Sequence, residues 1–344
     1  MSADTTGLPV TLVSGPSFQV QGQDTLLKGA LRAGIGFPYE CSVGGCGSCK
    51  FDLVEGEVHT LWAEAPGLSP RDRHKGKRLA CQSVPLGPVT AKLRLDPACE
   101  PRIRPLRQSA TLTRVEQVTH DMRQFSFRTP GPAEFLAGQY ALLQFPALGL
   151  QRAYSMSNLP NPQGEWQFIV RRVPQGAGTG HLFDQLQPGD VLEIDGPYGM
   201  AWLRPPERDL LCIAGGSGLA PMLSVARAAA PLLQETGRRL HFYFGVRTPA
   251  DRAAQALLAG LPGYGDRLRC EEVVSQPSAD DARQGGWTGA TGLVHEVVDA
   301  RLGERLAEHE VYFAGPPAMV QAVTELLMVR RAVPYGQIHF DRFF

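Results

Sequence analysis

Pro38-Tyr39-Glu40-Cys41-Ser42-Val43-Gly44-Gly45-Cys46-Gly47-Ser48-Cys49 carries three cysteines spaced C-x4-C-x2-C, and a fourth, Cys81, follows after a gap of thirty-one residues. This is the ligand spacing of a plant-type [2Fe–2S] cluster. The small residues of the loop let the backbone wrap a compact anionic group and aim amide N–H groups at its sulfurs. A structural zinc site and unrelated buried cysteines are the alternatives. Zinc knuckles usually repeat a short C-x2-C pair, whereas here one long gap separates a triplet from a single cysteine, so the spacing favours iron and sulfur.

The segments flanking the loop read as one small module. Residues 8–22 alternate apolar and polar as a β-hairpin does, and Asp24-Thr25-Leu26-Leu27 opens a short helix running to about Ala33. Phe51–Val58 reads as a strand and turn and Val89–Leu95 as a closing strand, giving one domain over residues 1–97. Asp96–Pro105 holds three prolines, which resist both helix and sheet, so 98–106 is expected to be a semi-rigid linker. From 107 to 203, short alternating strands separated by Gly and Pro turns predict an antiparallel β-barrel. From 204 to 344 the pattern changes to α/β, with the buried strand Leu210–Ala214, a glycine turn, a helix from Ala220 to about Thr236, and a second strand His241–Gly245.

Composition narrows the function classes. The 344 residues include 34 basic and 34 acidic side chains, so no bulk field favours nucleic acid or an anionic membrane. The first residues, Met1-Ser2-Ala3-Asp4-Thr5-Thr6, lack the pattern of a signal peptide, and no uncharged stretch approaches the ~18 residues needed to span a bilayer. A cytoplasmic, monomeric, non-membrane protein is the expectation. Seven cysteines, four of them assigned to the cluster, argue against a disulfide framework; Cys99, Cys212 and Cys270 read as a linker thiol and two core residues.

Two further motifs carry chemistry. Gly215-Gly216-Ser217-Gly218-Leu219-Ala220-Pro221 lies between a strand and a helix, where phosphates could rest on glycine amides, although Pro221 stands where the dinucleotide fingerprint has its third glycine. A tight structural turn is the alternative. Arg152-Ala153-Tyr154-Ser155 offers a pyrophosphate clamp, an aromatic ring and a hydroxyl on one strand, as a flavin site requires, and equally an ordinary exposed Arg beside a half-buried Tyr.

Cluster ligands, Arg-x-Tyr-Ser, the glycine loop and Ala314-Gly315-Pro316-Pro317-Ala318-Met319 occur in one order, and the chain resembles the ferredoxin–NAD(P)H reductase superfamily throughout its length. It is most similar there to three-domain bacterial oxygenase reductases, which implies a β-grasp [2Fe–2S] ferredoxin domain, an antiparallel β-barrel FAD domain and an α/β parallel-sheet NAD domain. Leu31-Arg32-Ala33, Phe37–Cys41, Leu61-Trp62, Ala65–Leu68 and Ile338–Phe344 are similar to the toluene monooxygenase reductase component, and to those of xylene and cymene monooxygenases. The resemblance implies that Arg152 binds the FAD pyrophosphate, Tyr154 packs on the isoalloxazine and Ser155 approaches its N5. It adds Val170, Arg171 and the phosphate turn Gly176, Gly178, Thr179, the last in place of the usual Ser. It assigns Gly215, Gly216, Gly218, Pro221 and Arg247 to NADH, and Gly315, Pro316 and Pro317 to the nicotinamide end. Asp341, Phe343 and Phe344 are placed near the flavin. One departure is Ala314, where relatives usually have Cys; restoring that thiol is expected to speed flavin reduction.

The implied chemistry is electron transfer from NADH, which gives two electrons at once, through FAD to a one-electron cluster and on to an oxygenase or its intermediary ferredoxin. NADH is expected over NADPH, because Arg247 is followed at a distance by Asp280 and Asp281, which repel a 2′-phosphate. A Rieske-type dioxygenase partner, and a redox sensor that turns nothing over, remain as alternatives. Docking is expected on the rim around Cys41–Cys49, flanked by Tyr39 and Glu40.

Overall fold

The computed structural model describes residues 7–277 and 287–343, in two compact units. Phe344, Asp280 and Asp281 lie outside the described residues.

The first unit comprises the chain up to Arg107 together with Asp195–Gly199. Its strands are β1 (Leu8–Leu12), β2 (Ser17–Val20), β3 (Lys50–Glu55), β4 (Val58–Thr60), β5 (Lys77–Leu79), β6 (Ser83–Pro85) and β7 (Val89–Lys92). Five form one sheet in the order β2-β1-β7-β3-β5, with β1 and β7 parallel at its centre and antiparallel pairs outside; this is a β-grasp sheet. Helix α1 (Leu26–Arg32) starts at Thr25, whose side chain accepts from the Lys28 amide, and buries Leu26, Leu27, Ala30 and Leu31. Helix α2 (Pro70–His74) opens with a Ser69/Asp72 capping box and buries none of its residues.

Within this unit α1 also carries a charge network. Lys28 Nζ lies 3.0 Å from Asp195, Arg32 donates to Asp24 at 2.7 Å and to Asp195 at 2.8 Å, and the Tyr198 hydroxyl donates to Asp195 at 2.9 Å. Arg107 also donates to Asp24. Burial works against the Asp195 charge, but Lys28 and Arg32 outweigh it and hold the carboxyl below its ordinary range.

The second unit holds two sheets. The chain enters the first in β8 (Leu106–Gln117), followed by β9 (Met122–Arg128), β10 (Tyr140–Phe145), β11 (Leu150–Ser155), β12 (Glu165–Arg171) and β13 (Val191–Tyr198), in the order β11-β10-β13-β8-β9-β12. The pairs β8/β9, β9/β12 and β10/β11 are antiparallel, and a Met156–Phe168 bridge joins the two edges into a barrel. Phe125, Phe127, Trp166 and Phe168 fill it. One helix interrupts the strands, α3 (Ala177–Asp184).

The second sheet is parallel: β14 (Asp209–Gly215), β15 (Leu240–Val246), β16 (Leu268–Val274), β17 (Ala290–Thr291), β18 (His309–Gly315) and β19 (Ile338–Arg342) in the order β17-β16-β15-β14-β18-β19. Helices α4 (Leu219–Thr236), α5 (Ala254–Leu258), α6 (Val294–Leu302) and α7 (Pro317–Thr324) connect and cover it. The chain runs outward from β14 through β15 and β16, then returns to β14's other side as β18. That reversal is a topological switch point, where open α/β sheets bind ligands beyond the carboxyl ends of their strands.

Cys212 is fully buried on β14 and Cys270 partly buried on β16, as core residues. The segment expected to resist helix instead forms a 3-10 turn at Pro97–Cys99, since proline tolerates the first helical position and Asp96 caps the Ala98 amide.

Candidate functional site: a cluster loop and two cofactor grooves

The cluster loop bends through left-handed backbone at Ser42, Gly44 and Gly47, and a Cβ on Gly47 would sit 2.5 Å from the Gly67 carbonyl oxygen. Glycine is therefore required there by both conformation and space. The Cys46 amide donates to Cys41 Sγ at 3.3 Å, the Ser48 amide to Cys46 Sγ at 3.4 Å, and Gln82 Nε2 to Cys81 Sγ at 3.7 Å.

The strongest influence on Cys41 comes from Cys46 and that on Cys81 from Cys49, with Cys41 acting on Cys81 as well, so the four sulfurs neighbour one another. The Cys41 thiol and Ser48 lower Cys46 to about 5 against the effect of burial, whereas Cys41 and Cys81 are pushed up by their sulfur neighbours and by burial. Four cysteine sulfurs, met by the Cys46 and Ser48 amides and by the Gln82 side chain, fit the ligand set of a [2Fe–2S] cluster.

The flavin candidates gather on β11 and α3. Arg152 is exposed, Tyr154 half-buried and Ser155 buried on β11, in register with Leu143, Ala141 and Tyr140 of β10. Gly178, in the first turn of α3, faces them: a Cβ there would meet Arg152 Cγ at 3.3 Å and the Tyr154 hydroxyl at 3.5 Å. This is a cradle lined by a cation, a phenol and helix amides, and it fits a pyrophosphate. Burial raises Tyr154 to about 12, so the phenol stays protonated and neutral. The Thr179 hydroxyl is engaged inside the turn, accepting from the Val173 amide at 3.1 Å. Val170 turns its side chain into the barrel core, so any flavin contact it makes is through its backbone.

A cleft of about 820 Å³ opens at the switch point, lined by Gly215, Gly216, Gly245, Arg247, Ser275, Pro316 and Met319 of the parallel-sheet domain and by Arg171 and Arg172 of the barrel. Glycine amides and three guanidinium groups suit a dinucleotide's phosphates. Gly218 and Pro221 lie behind the cleft. Pro221 is buried within α4, and Gly218 presses so closely on β18 that a Cβ would fall 2.0 Å from the Ala314 carbonyl oxygen. Pro317 starts α7.

Sequence reasoning missed four residues here: Asp121, Asp251, His120 and Met319. Arg171 donates to Asp121 at 2.6 Å and to Asp251 at 3.4 Å, so its guanidinium is held at the cleft by one carboxylate from each domain. His120 approaches both carboxylates at 3.8 and 3.9 Å, and Arg171 bridges them and offsets one of their two charges, which makes the group an ion-pair cluster. Met319 places its sulfur between the two loops, where Cβ atoms on Gly215 and Gly315 would meet Sδ at 2.5 and 3.2 Å.

Two expectations change. Tyr39 does not flank the cluster on the surface: it is 6% exposed, and its hydroxyl accepts from the Gly199 amide at 3.0 Å. Ala314 is fully buried in an apolar cluster with Ala214, Leu219 and Ala220 and does not line the cleft, so a larger side chain there would enter core packing. Ala314→Cys is therefore expected to overpack this site at about 1–3 kcal/mol without accelerating flavin reduction, which thermal unfolding and stopped-flow bleaching would measure. β19 runs beside β18 with Asp341 opposite Ala314, which places the buried Asp341 and Phe343 at that end of the sheet.

Family models match in the order of this architecture: a 2Fe-2S iron-sulfur cluster binding domain at residues 12–86, an oxidoreductase FAD-binding domain at 109–202 and an oxidoreductase NAD-binding domain at 212–325. The ferredoxin–NAD(P)+ reductase CarAd of Metapseudomonas resinovorans is 44% identical over 93% of the chain and 94% of its own length. The chain belongs to the ferredoxin–NAD(P)+ reductase family. The ferredoxin–NAD+ reductase component of the Xanthobacter autotrophicus alkene monooxygenase system is 40% identical over 96% of this chain and 99% of its own. The expected likeness to toluene and xylene systems is present: the xylene/toluene monooxygenase electron transfer component of Pseudomonas putida is 33% identical over 96% of the chain and 91% of its own length. Among solved structures, the ferredoxin reductase in carbazole 1,9a-dioxygenase has a TM-score of 0.89 at 37% identity, covering 98% of both chains. This reductase is thus an oxidoreductase with FAD, NAD and [2Fe–2S] domains. No helix of the described residues is long and apolar enough to cross a membrane.

Proposed function

We propose that the chain is the NADH-dependent reductase component of a multicomponent monooxygenase acting on aromatic or other hydrocarbons, divided as residues 1–97, 98–106, 107–203 and 204–344. The observation that carries this reading is a cysteine loop whose amides donate to its own sulfurs and whose Cys49 carbonyl accepts from Ala80, next to Cys81, in a chain that also holds a flavin cradle and a dinucleotide cleft. Bound FAD supplies the interconversion between a hydride donor and a one-electron acceptor.

The chain's own residues bind and orient. Arg152 would hold the FAD pyrophosphate with Gly176, Gly178 and the α3 amides, while Thr179 keeps that turn in shape. Tyr154 would cover the ring and Ser155 offer its hydroxyl, with Val170 and Arg171 beside them. Gly215, Gly216 and Arg247 would receive the nucleotide's phosphates and ribose, with Gly315, Pro316 and Pro317 at the nicotinamide end. Gly218 and Pro221 set the loop's position against β18. Asp341, Phe343 and Phe344 would shield the flavin until nicotinamide displaces the aromatic tail. Catalysis then rests on orientation, with no acid–base side chain required for hydride delivery.

NADH-driven reduction of cytochrome c by purified protein containing iron and FAD tests the assignment, and a protein with both cofactors but no turnover would refute it. A dioxygenase partner is the second reading, favoured by the 44% identity to the reductase CarAd and the fold match to the carbazole 1,9a-dioxygenase reductase. Hydroxylation supported only with a Rieske dioxygenase, and never with a di-iron hydroxylase, would select it. A monomeric, cytoplasmic protein fits either reading.

NADH is expected to exceed NADPH in kcat/KM by roughly tenfold or more, the effect of one repulsive contact of about 1.4 kcal/mol. The support is the sequence Asp280-Asp281 beyond β16, set against Arg247 at the cleft. Equal efficiency with the two nucleotides would refute it.

A further inference from the structure

Residues 61–80 are fastened to the cluster loop at three points. The Leu61 amide donates to Gln82 O, the Gly67 amide to Gly44 O and the Ala80 amide to Cys49 O, each at 2.9 Å. This segment therefore forms a rim beside Cys49 and Cys81. Its surface is unusual for a chain whose net charge is zero: Ser69–Arg78 contains Arg71, Arg73, Lys75, Lys77, Arg78 and His74, and beyond Glu64, which lies 3.6 Å from Arg73, the segment has one acid, Asp72. That acid is already engaged, 2.8 Å from Lys50 Nζ and closing the Ser69 capping box. Arg73 turns inward to the Ala65 carbonyl at 2.9 Å and Lys77 to Asp52 at 2.8 Å, whereas Arg71, His74 and Lys75 face solvent. At the start of the same segment Leu61 and Trp62 are 49% and 47% exposed.

We propose that this rim is the docking surface for the protein that takes electrons from the cluster, and that the partner's matching face is acidic. The proposal rests on the reading of the chain as a reductase with a separate protein acceptor. An exposed tryptophan and exposed basic residues within one short segment are the composition of an interface anchor. Clustered charges of one sign raise the encounter rate with an oppositely charged partner and repel a like-charged one, an effect that fades with salt. The zero net charge means that this steering comes from the patch and not from the chain as a whole.

The test uses the holoprotein with NADH and three acceptors: cytochrome b5, an acidic haem protein; cytochrome c, a basic one; and ferricyanide. Arg71→Glu with Lys75→Glu is expected to lower kcat/KM for cytochrome b5 about tenfold at low ionic strength and to leave cytochrome c equal or faster, with ferricyanide unchanged and the difference vanishing at high salt. Trp62→Ala is expected to slow both cytochromes about tenfold or more at every salt concentration. Unchanged cytochrome b5 reduction after charge reversal, or equal loss with both cytochromes, would overturn the proposal. So would charge-dependent binding to phosphatidylserine vesicles with cytochrome b5 reduction intact, which would assign the patch to a membrane. Wild-type protein that reduces ferricyanide but neither cytochrome would instead overturn the reductase reading itself, a result visible before any variant is made.

Discussion

Cys46→Ser is expected to abolish NADH-driven cytochrome c reduction, by more than about a hundredfold, while ferricyanide reduction and FAD content persist. Losing even an outer-shell partner of a metal site costs on the order of 10–100-fold, and Cys46 is nominated as a ligand itself. Its sulfur accepts from the Ser48 amide at 3.4 Å, a contact that favours the thiolate a metal ligand needs. A serine oxygen is harder, shorter and far less acidic, which suits iron–sulfur ligation poorly. The flavin candidates Arg152, Tyr154 and Gly178 sit in the other compact unit, so the variant leaves them in place. Loss of both activities at retained FAD content would contradict this division of labour.

Gly218→Ala is expected to lower NADH-driven ferricyanide reduction about a hundredfold and to destabilise the protein by at least the upper end of the ~1–3 kcal/mol range for overpacking. The added Cβ would fall 2.0 Å from the Ala314 carbonyl oxygen, 2.4 Å from its carbonyl carbon and 2.8 Å from the Gly315 amide nitrogen. All three are backbone atoms of β18 and its exit loop, so no side chain can swing aside. Either the glycine loop or β18 must shift, and both border the cleft that would receive the nucleotide. A displacement of about an ångström at a reacting centre costs on the order of a hundredfold in rate. Thermal unfolding and steady-state kinetics would read the two effects separately; an unaltered rate would show that the loop does not set the nucleotide's position.

Much of this architecture is legible in residue order, and the reasons differ from element to element. Cys41, Cys46 and Cys49 lie within nine residues, so local spacing alone specifies their chemistry, and the strand, glycine turn and helix around Gly215 declare a β-loop-α unit by composition. What spacing does not encode is which distant residues meet. Tyr39 looks like a surface residue beside the cluster until its hydroxyl is seen to accept from an amide 160 positions away. Arg171 reads as a cofactor-binding basic residue, but nothing local signals that Asp121 and Asp251 grip it from two domains. The burial of Ala314 is similar: a small residue before Gly-Pro-Pro looks like a missing thiol at the nucleotide, whereas the fold sets it in an apolar cluster with residues of α4. Met319 carried no signal beyond its motif, because the closeness of Gly215 to Gly315 arises only when β14 and β18 pair.

The central claim is that one chain takes electrons in pairs from NADH and releases them singly. Anaerobic titration of the purified protein with NADH, followed by flavin and cluster absorbance alongside iron and FAD analysis, tests it most directly. One FAD and two irons per chain hold three electrons together, so about 1.5 NADH per chain is expected at the endpoint, with bleaching of both chromophores. Zinc in place of iron, or an endpoint at one NADH with the cluster spectrum untouched, would contradict it.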